Sequence, residues 1–306
     1  MKTGYDLLVI LGATAGGKTA LAVKAARRFG GEIISADSRQ VYRGMDLGTG
    51  KDLQEYGEVP CHLIDIVEAG SEYNLFRFQN DCRAAITAIQ GRGRLPILCG
   101  GTGLYLDAVL RGYELVEAPD NPHLRAELEA LTDDALRQRL LILRPEQHNR
   151  TDLDDRQRLL RACEIAMAEN SAPPPDPLDL RPLVFGLRWP RELLRRRIAL
   201  RLQQRLDAGM IEEVQALHEA GVPWAQLEFY GLEYRLIAHY LQGHLRRNDM
   251  VQKLRSAIGQ FAKRQETFFR RMEKKGVVIH WLDAEVEPYG ELCRIAGEKG
   301  VAVVDH

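Results

Sequence analysis

The 306-residue sequence has no C-x-x-C pair; Cys61, Cys82, Cys99, Cys163 and Cys293 stand far apart. That spacing excludes a finger-type zinc site and a disulfide framework, and it predicts reduced thiols. The eight histidines also lack metal-ligand spacing. No apolar run approaches the length that spans a bilayer, and the N-terminus passes almost at once into a strand. Neither a membrane anchor nor a signal peptide is therefore expected, and a cytoplasmic location is. Charge of one sign is lacking too, since 42 Lys+Arg face 43 Asp+Glu for a net −1. The chain as a whole is not drawn to polyanions, so any nucleic-acid contact must come from local clusters. There is no internal repeat. What is present, 45% hydrophobic and 28% charged residues, suits one large globular domain or a core with a smaller insertion.

Strand and helix patterns alternate in the first third. "DLLVIL", "EIISAD" and "LPILCGG" are continuous apolar runs that suit buried parallel strands, and "HLIDIV" reads as a further short one. Helical stretches fall between them, from Thr19 to Phe29, closed by Gly30-Gly31, and from Asn74 to Gln90. Residues 120–170 lose the strand pattern and become helical, as in "HLRAELEAL" and "RQRLLRACEIAMA", before the proline-rich linker "SAPPPDPLDLRP". "LVFGLRW" returns to strand, Arg191 to Arg271 is almost wholly helical, and "GVVIHWLD" is a late strand. The pattern predicts an α/β fold with a parallel-sheet core of the P-loop NTPase-like kind. The core takes 1–112 and 182–306 with its C-terminal helices, and a helical insertion domain takes 113–181.

Gly12, Ala13, Thr14, Ala15, Gly16, Gly17, Lys18 and Thr19 satisfy G-x-x-x-x-G-K-[ST] between a strand and a helix. Glycines let backbone N–H groups turn inward around an anion while the helix aims its positive end at it. Lys18 adds a point charge, and the Thr19 hydroxyl suits a Mg2+ ion bridging two phosphates. Most such loops bind a nucleotide such as ATP. "ADSRQ" and "GGTG" end the next strands, so both are expected at the same carboxyl edge, where ligands gather. Asp37 is then a carboxylate near phosphates, a place suited to holding metal or taking a proton. Capping a following helix is its plain alternative. These residues alone leave phosphoryl transfer and another use of a bound diphosphate both open.

"GATAGGKTALA", "EIISADSRQVYRGMDLGTGK", "HLIDIV", "GGTGLYLDAVLRG", "RQRLLRACEI", "RELLRRRIALR" and "QFAKRQETFFR" follow one another in this order. From about Leu8 to Trp281 the chain thereby resembles the tRNA dimethylallyltransferases, also called isopentenyltransferases. The resemblance implies transfer of a dimethylallyl group from dimethylallyl diphosphate to the N6 amine of an adenosine. That adenosine lies 3′ of the anticodon in tRNAs reading UNN codons. The loop would then grip the donor's diphosphate with Mg2+ as cofactor, and the partner would be a tRNA anticodon stem-loop, bound by a monomer. Asp37 matches the family's catalytic aspartate, Thr102 a threonine that contributes to transfer, and Arg201 an arginine that assists at the diphosphate. Arg197, Arg201 and Arg205 recur every four residues, so one helix face could carry all three, with a solvated basic face as the plain alternative. The resemblance also implies tRNA contact by Ser38, Arg39 and Gln40, by Arg125, Gln157 and Arg158 of the insertion, and by Lys263, Arg264 and Gln265.

Three departures stand out. Glu233 in "GLEYR" occupies a position where the family usually has glycine, Arg156 falls where an aspartate-proline pair commonly precedes Gln-Arg, and Cys61 replaces a frequent histidine. Three rival functions remain at this level: a free-adenylate isopentenyltransferase, a phosphate-loop kinase of a small metabolite, and a tRNA-binding protein without catalysis. The helical insertion and the basic C-terminal segment favour tRNA, since a small acceptor needs neither.

Overall fold

The structure, a computed structural model, describes residues 4–118, 121–145, 153, 155–169 and 179–304. They fall into two compact units, one of Met1–Arg111 with Asp179–His306 and one of Gly112–Leu178. Most of the proline-rich stretch, 171–178, lies outside the described residues.

Six parallel strands form the sheet of the first unit: β1 (Leu7–Gly12), β2 (Gly31–Ala36), β3 (Cys61–His62), β4 (Leu95–Gly100), β5 (Pro182–Arg188) and β6 (Ile279–Asp283). Their spatial order is β3-β2-β4-β1-β5-β6. The central strands are buried on both faces, which is why they read as unbroken apolar runs. Along β1, Leu7, Val9 and Leu11 join the core on one face, and Leu8 and Ile10 join the core on the other. The register sets Leu11 beside Gly100, Gly12 beside Leu187 and Ala36 beside Gly100, so the strand ends share one edge.

Helix α1 (Lys18–Phe29) covers one face and ends in the left-handed Gly30, whose N–H bonds the Ala26 carbonyl. Helices α2 (Leu75–Gly91) and α3 (Gly103–Leu110) pack on the other; Asn74 caps α2 by accepting from the Arg77 N–H. The second unit holds α4 (Pro122–Glu129), α5 (Asp133–Leu143) and α6 (Arg156–Glu169) around Leu128, Leu136, Leu140, Leu159 and Leu160. After β5 come α7 (Arg191–Asp207), α8 (Met210–Glu219), α9 (Trp224–Phe229), α10 (Leu232–Leu241) and α11 (Arg247–Lys274). A last helix, α12 (Pro288–Glu298), joins the α1 face and has no counterpart in the sequence expectation.

The expected strand "HLIDIV" is shorter than its apolar pattern suggests. Only Cys61 and His62 pair with β2, because Leu63 and Asp65 take left-handed backbone angles (φ 62 and 54) that end the extended run. Val67 then makes an isolated parallel bridge to Tyr42.

Candidate active site

The glycine loop between β1 and α1 is held by two side chains distant in sequence and by its own lysine. Trp189 Nε1 donates to the Gly16 carbonyl (2.8 Å), Arg197 Nε to the Ala15 carbonyl (2.9 Å), and Lys18 Nζ to the Ala13 carbonyl (2.9 Å). With these carbonyls occupied, the loop is fixed in a shape that requires left-handed angles at Ala15 (φ 58) and Gly17 (φ 86). For Ala15 that conformation costs about 1 kcal/mol, strain the surrounding bonds must maintain. No side chain caps α1 and its first turn contains no acid, so the helix presents its positive end to the pocket unopposed.

Gln265 supplies the fourth brace. Its Oε1 accepts from the Thr14 N–H (2.8 Å) and its Nε2 donates to the Gly101 carbonyl (2.8 Å), tying the loop to the β4–α3 turn. The residue is only 7% exposed. At a position where the resemblance implies an RNA contact, both ends of the amide are used on backbone while the residue lines the pocket. Gln265→Leu leaves the Thr14 N–H and Gly101 carbonyl unpaired and is expected to lower stability by about 2 kcal/mol or more. Thermal unfolding would register that loss, and donor titration would show weaker binding; an unaltered melting temperature argues against the brace.

Asp37 follows β2 in a turn, not ahead of a helix, so helix capping is not its role. Its Oδ1 accepts from the Arg39 N–H (2.9 Å), and Thr102 Oγ1 accepts from the Ser38 N–H (3.1 Å). These bonds orient the carboxylate and leave the Thr102 hydroxyl hydrogen free to be donated. Asp37, Thr102 and residues 14–19 line one cavity of ≈ 660 Å³ at the carboxyl edge of the sheet. Desolvation in this cavity lowers the Lys18 pKa; Cys99 opposes the shift, Arg201 adds to it, and Asp37 opposes it.

The loop from Gly44 to Lys51 forms the opposite wall. Glu213 of α8 accepts from the N–H groups of Asp46 (2.9 Å), Leu47 (2.6 Å) and Gly48 (3.0 Å) and from the Tyr234 hydroxyl (2.7 Å). The Lys51 side chain, 0% exposed, donates to the Tyr42 carbonyl, to Asp46 (2.9 Å) and to Asp65. Gln40 is part of the same frame, accepting from Ser35 Oγ (3.0 Å) and donating to the Gly50 carbonyl (3.1 Å). Gln40, expected at the RNA, lines the pocket as well as making these internal bonds.

Arg197, Arg201 and Arg205 all line the pocket, so the every-fourth-residue spacing does mark one face of α7. Arg201 pairs with Asp52 and reaches the Gly50 carbonyl (3.4 Å). Arg205 is no solvated surface residue: its side chain is 14% exposed, one Nη has no hydrogen-bond partner, and burial pulls its pKa down to about 10. Glu233 lies in the same pocket, where desolvation raises its pKa and the Arg205 charge opposes the rise. The departure from glycine therefore puts an acid beside the α7 arginines.

Other expected RNA contacts divide. Ser38 and Arg39 stand at the pocket, with the Arg39 guanidinium 5.3 Å over the ring of Phe229, a residue 66% exposed. Lys263 and Arg264 are exposed on α11. In the second unit Arg125 is tied to Glu129 (2.9 Å), Glu164 (3.2 Å) and Gln157. Arg125 and Gln157, expected at the RNA, thus also clasp α4 to α6, and Gln157 and Arg158 are exposed. Arg156, the second departure, closes the α4–α5 turn through Asp133 and the carbonyls of Glu129 (2.9 Å) and Leu131 (3.0 Å). Sequence reasoning missed Trp189, Glu213, Tyr234 and Lys51. Lys51 ends the "GMDLGTGK" block, Tyr234 stands in "GLEYR" and Trp189 ends "LVFGLRW", but none of these segments pointed to its contact, and Glu213 stood in none.

A parallel sheet carrying a braced anion loop, with a carboxylate in the same cavity, defines an α/β protein built to act on a phosphorylated ligand. Residues 40–272 match the family model described as IPP transferase, and residues 5–58 match one described as isopentenyl transferase. A protein named tRNA dimethylallyltransferase 2 from Syntrophotalea carbinolica is 63% identical over 292 residues, covering 95% of this chain and 98% of its own. A tRNA dimethylallyltransferase 1 from Geotalea daltonii is 59% identical over 293 residues, with 95% of each chain covered. The solved tRNA isopentenylpyrophosphate transferase of Bacillus halodurans superposes with a TM-score of 0.72 at 32% identity, over 96% of each chain. A eukaryotic dimethylallyltransferase solved acting on tRNA shares the fold, with a TM-score of 0.79 at 24% identity over 98% of this chain and 81% of that one. The chain belongs to the IPP transferase family and is a prenyl-transferring enzyme. Among the described residues no helix is long and apolar enough to cross a membrane.

Proposed function

We propose that this chain transfers the dimethylallyl group of dimethylallyl diphosphate to the N6 amine of the adenosine 3′-adjacent to the anticodon, in tRNAs reading UNN codons. The observation that carries the reading is the shared cavity, in which the anion loop and Asp37 face the same space. Support also comes from relatives named for this reaction. The strand–loop–helix order and the position of β1 between β4 and β5 support a P-loop NTPase-like core.

In the transfer, N6 attacks C1 of the allyl group as the C1–O bond to diphosphate breaks. Positive charge develops on the allylic carbon and negative charge on the leaving diphosphate. The N-terminal amides of α1 and the Lys18 ammonium stabilise the leaving charge in a desolvated setting. Because an adenine amine is a poor nucleophile, its proton must leave as the N–C bond forms, and Asp37 is the acceptor. Thr102 orients the Asp37 turn through Ser38 and can donate its hydroxyl hydrogen to the diphosphate. Arg201 and Arg205 add cationic wall on the far side of the loop.

The residues fit Mg2+ held jointly with a ligand. No cluster of three or more His, Cys, Asp or Glu side chains forms a metal cage among the described residues. Mg2+ bound through phosphates needs only one or two protein oxygens, and those of Thr19 and Asp37 line the cavity. When bound, the ion would supply charge neutralisation at the diphosphate.

The acceptor nucleotide must be splayed out of its loop to enter the cavity. Exposed Phe229 and the half-open Phe261 (38%) near Arg39 and Arg264 offer ring faces for unstacked bases. Incubation of unmodified tRNA with enzyme, Mg2+ and dimethylallyl diphosphate is expected to add one dimethylallyl group in place of a hydrogen, located by nucleoside mass spectrometry. Transfer to AMP but not to tRNA would contradict the reading.

A further inference from the structure

A second cavity, ≈ 850 Å³, lies across α11 from the active pocket. The helix divides the two: Ile258, Phe261 and Gln265 face the active pocket, while Arg255, Gly259 and Lys263 face the second groove. The glycine loop is divided in the same way, Gly12 and Ala13 lining the groove and Thr14 to Thr19 the active pocket. Six cations line the groove, Arg188, Arg191, Arg195, Arg255, Lys263 and Arg270, against one acid, Glu266. In a chain whose formal charge is −1, that concentration is the opposite of the average.

These charges are also largely uncompensated. Among the described residues Arg195 pairs with Glu192 (3.1 Å), but the other five make no ion pair. Arg188 instead lies 4.1 Å over the ring of Trp281. Arg255, Lys263 and Arg270 recur along one face of α11, and Gly259 between them has open space beside it. At 1.5 Å per residue the run from Arg255 to Arg270 extends about 22 Å. That is too long for a single diphosphate, yet it is a length over which several successive phosphates of one strand can be met. A cationic groove of this length with aromatic floor is the form that follows a nucleic-acid backbone.

We infer that this groove is a docking track for the phosphodiester backbone of the tRNA, away from the reacting nucleotide. The inference rests on the tRNA reading above and extends the contact expected at Lys263 to five arginines that have no part in the transfer chemistry. Phosphate contacts of this kind fix register and add affinity without reading sequence.

The test uses the full chain with Arg191, Arg255 and Arg270, all exposed, replaced together by alanine. The dissociation constant for unmodified tRNA is expected to rise at least tenfold, and the slope of log affinity against log salt to fall by about 2, near 0.7 per lost contact. The KM for dimethylallyl diphosphate should stay as in the wild type. The matching triple lysine variant keeps the charges and should retain most of the slope, which separates charge from packing. An unchanged tRNA affinity and slope would overturn the track, as would a raised donor KM with intact tRNA binding, which would give the groove to the donor. The tRNA reading itself fails separately, if the wild-type protein transfers nothing to tRNA.

Discussion

Asp37→Ala is expected to slow prenyl transfer by about a thousandfold while leaving tRNA affinity within a few-fold of the wild type. The carboxylate accepts one hydrogen bond, from the Arg39 N–H, so its loss removes the proton acceptor together with a single bond of the turn. Its neighbours Ser38 and Thr102 bond to each other through backbone N–H and hydroxyl, a contact that does not pass through the Asp37 side chain. Single-turnover measurements at saturating donor and tRNA isolate the chemical step, and filter binding gives the affinity. A variant that still transfers at the wild-type rate would put the proton elsewhere. Asp37→Asn should behave almost as badly, because it keeps shape and hydrogen bonding but loses the negative charge.

The second large effect is at Lys18. Lys18→Ala should reduce kcat/KM for the donor by about a hundredfold to a thousandfold, with tRNA binding retained. The ammonium is the loop's only side-chain cation, and its desolvation makes its field at a bound diphosphate stronger than on an open surface. The same desolvation gives a pH signature. Burial holds the Lys18 pKa below that of an ordinary lysine, so the free enzyme loses this charge at a lower pH. A bound diphosphate favours the charged form and raises that pKa again. Donor binding must therefore take up protons in the alkaline range, and donor affinity must fall as pH rises through the lowered value. Lys18→Arg, which stays charged, should flatten that alkaline loss, whatever it does to the rate. Calorimetry in buffers of different ionisation enthalpy measures the proton uptake; none in the wild type would remove Lys18 from the diphosphate site.

Legibility in the sequence followed the range of the interaction. The glycine loop was readable because its strand, turn and helix are contiguous, and the torsions it needs are restricted to a few residue types. The buried strands β1, β2, β4 and β5 were readable because a two-sided core demands unbroken apolar runs. "HLIDIV" misled because composition does not reveal the left-handed turns at Leu63 and Asp65 that cut the strand short. The spacing of Arg197, Arg201 and Arg205 gave one helix face, but whether that face meets solvent or a cavity depends on what packs over it. Here the 44–51 loop does, with Gly50 beside the Arg205 guanidinium, and it leaves that side chain only 14% exposed.

Family-like motifs gave positions without giving partners. Gln40, Arg125, Gln157 and Gln265 all stood in segments expected to touch RNA, and each also makes at least one side-chain hydrogen bond within its own unit. A glutamine that bonds a Thr14 N–H 251 residues away cannot be distinguished, in sequence, from one that bonds a base. Glu213 had no signal at all; its carboxylate meets three consecutive backbone N–H groups only because α8 is packed against the 44–51 loop.

The order of residues by itself determined the alternating strands and helices, the anion loop with its lysine and threonine, and the placing of Asp37 at a strand end. These depend on neighbours within a turn or a strand, where backbone sterics and apolar periodicity act directly. Only the tertiary structure decided which polar groups are spent on the protein and which remain for a ligand, and that two cationic spaces lie on opposite sides of one helix. The reason is physical: hydrogen bonding and desolvation are fixed by which atoms fill the surrounding volume, and those atoms come from segments up to 251 residues apart.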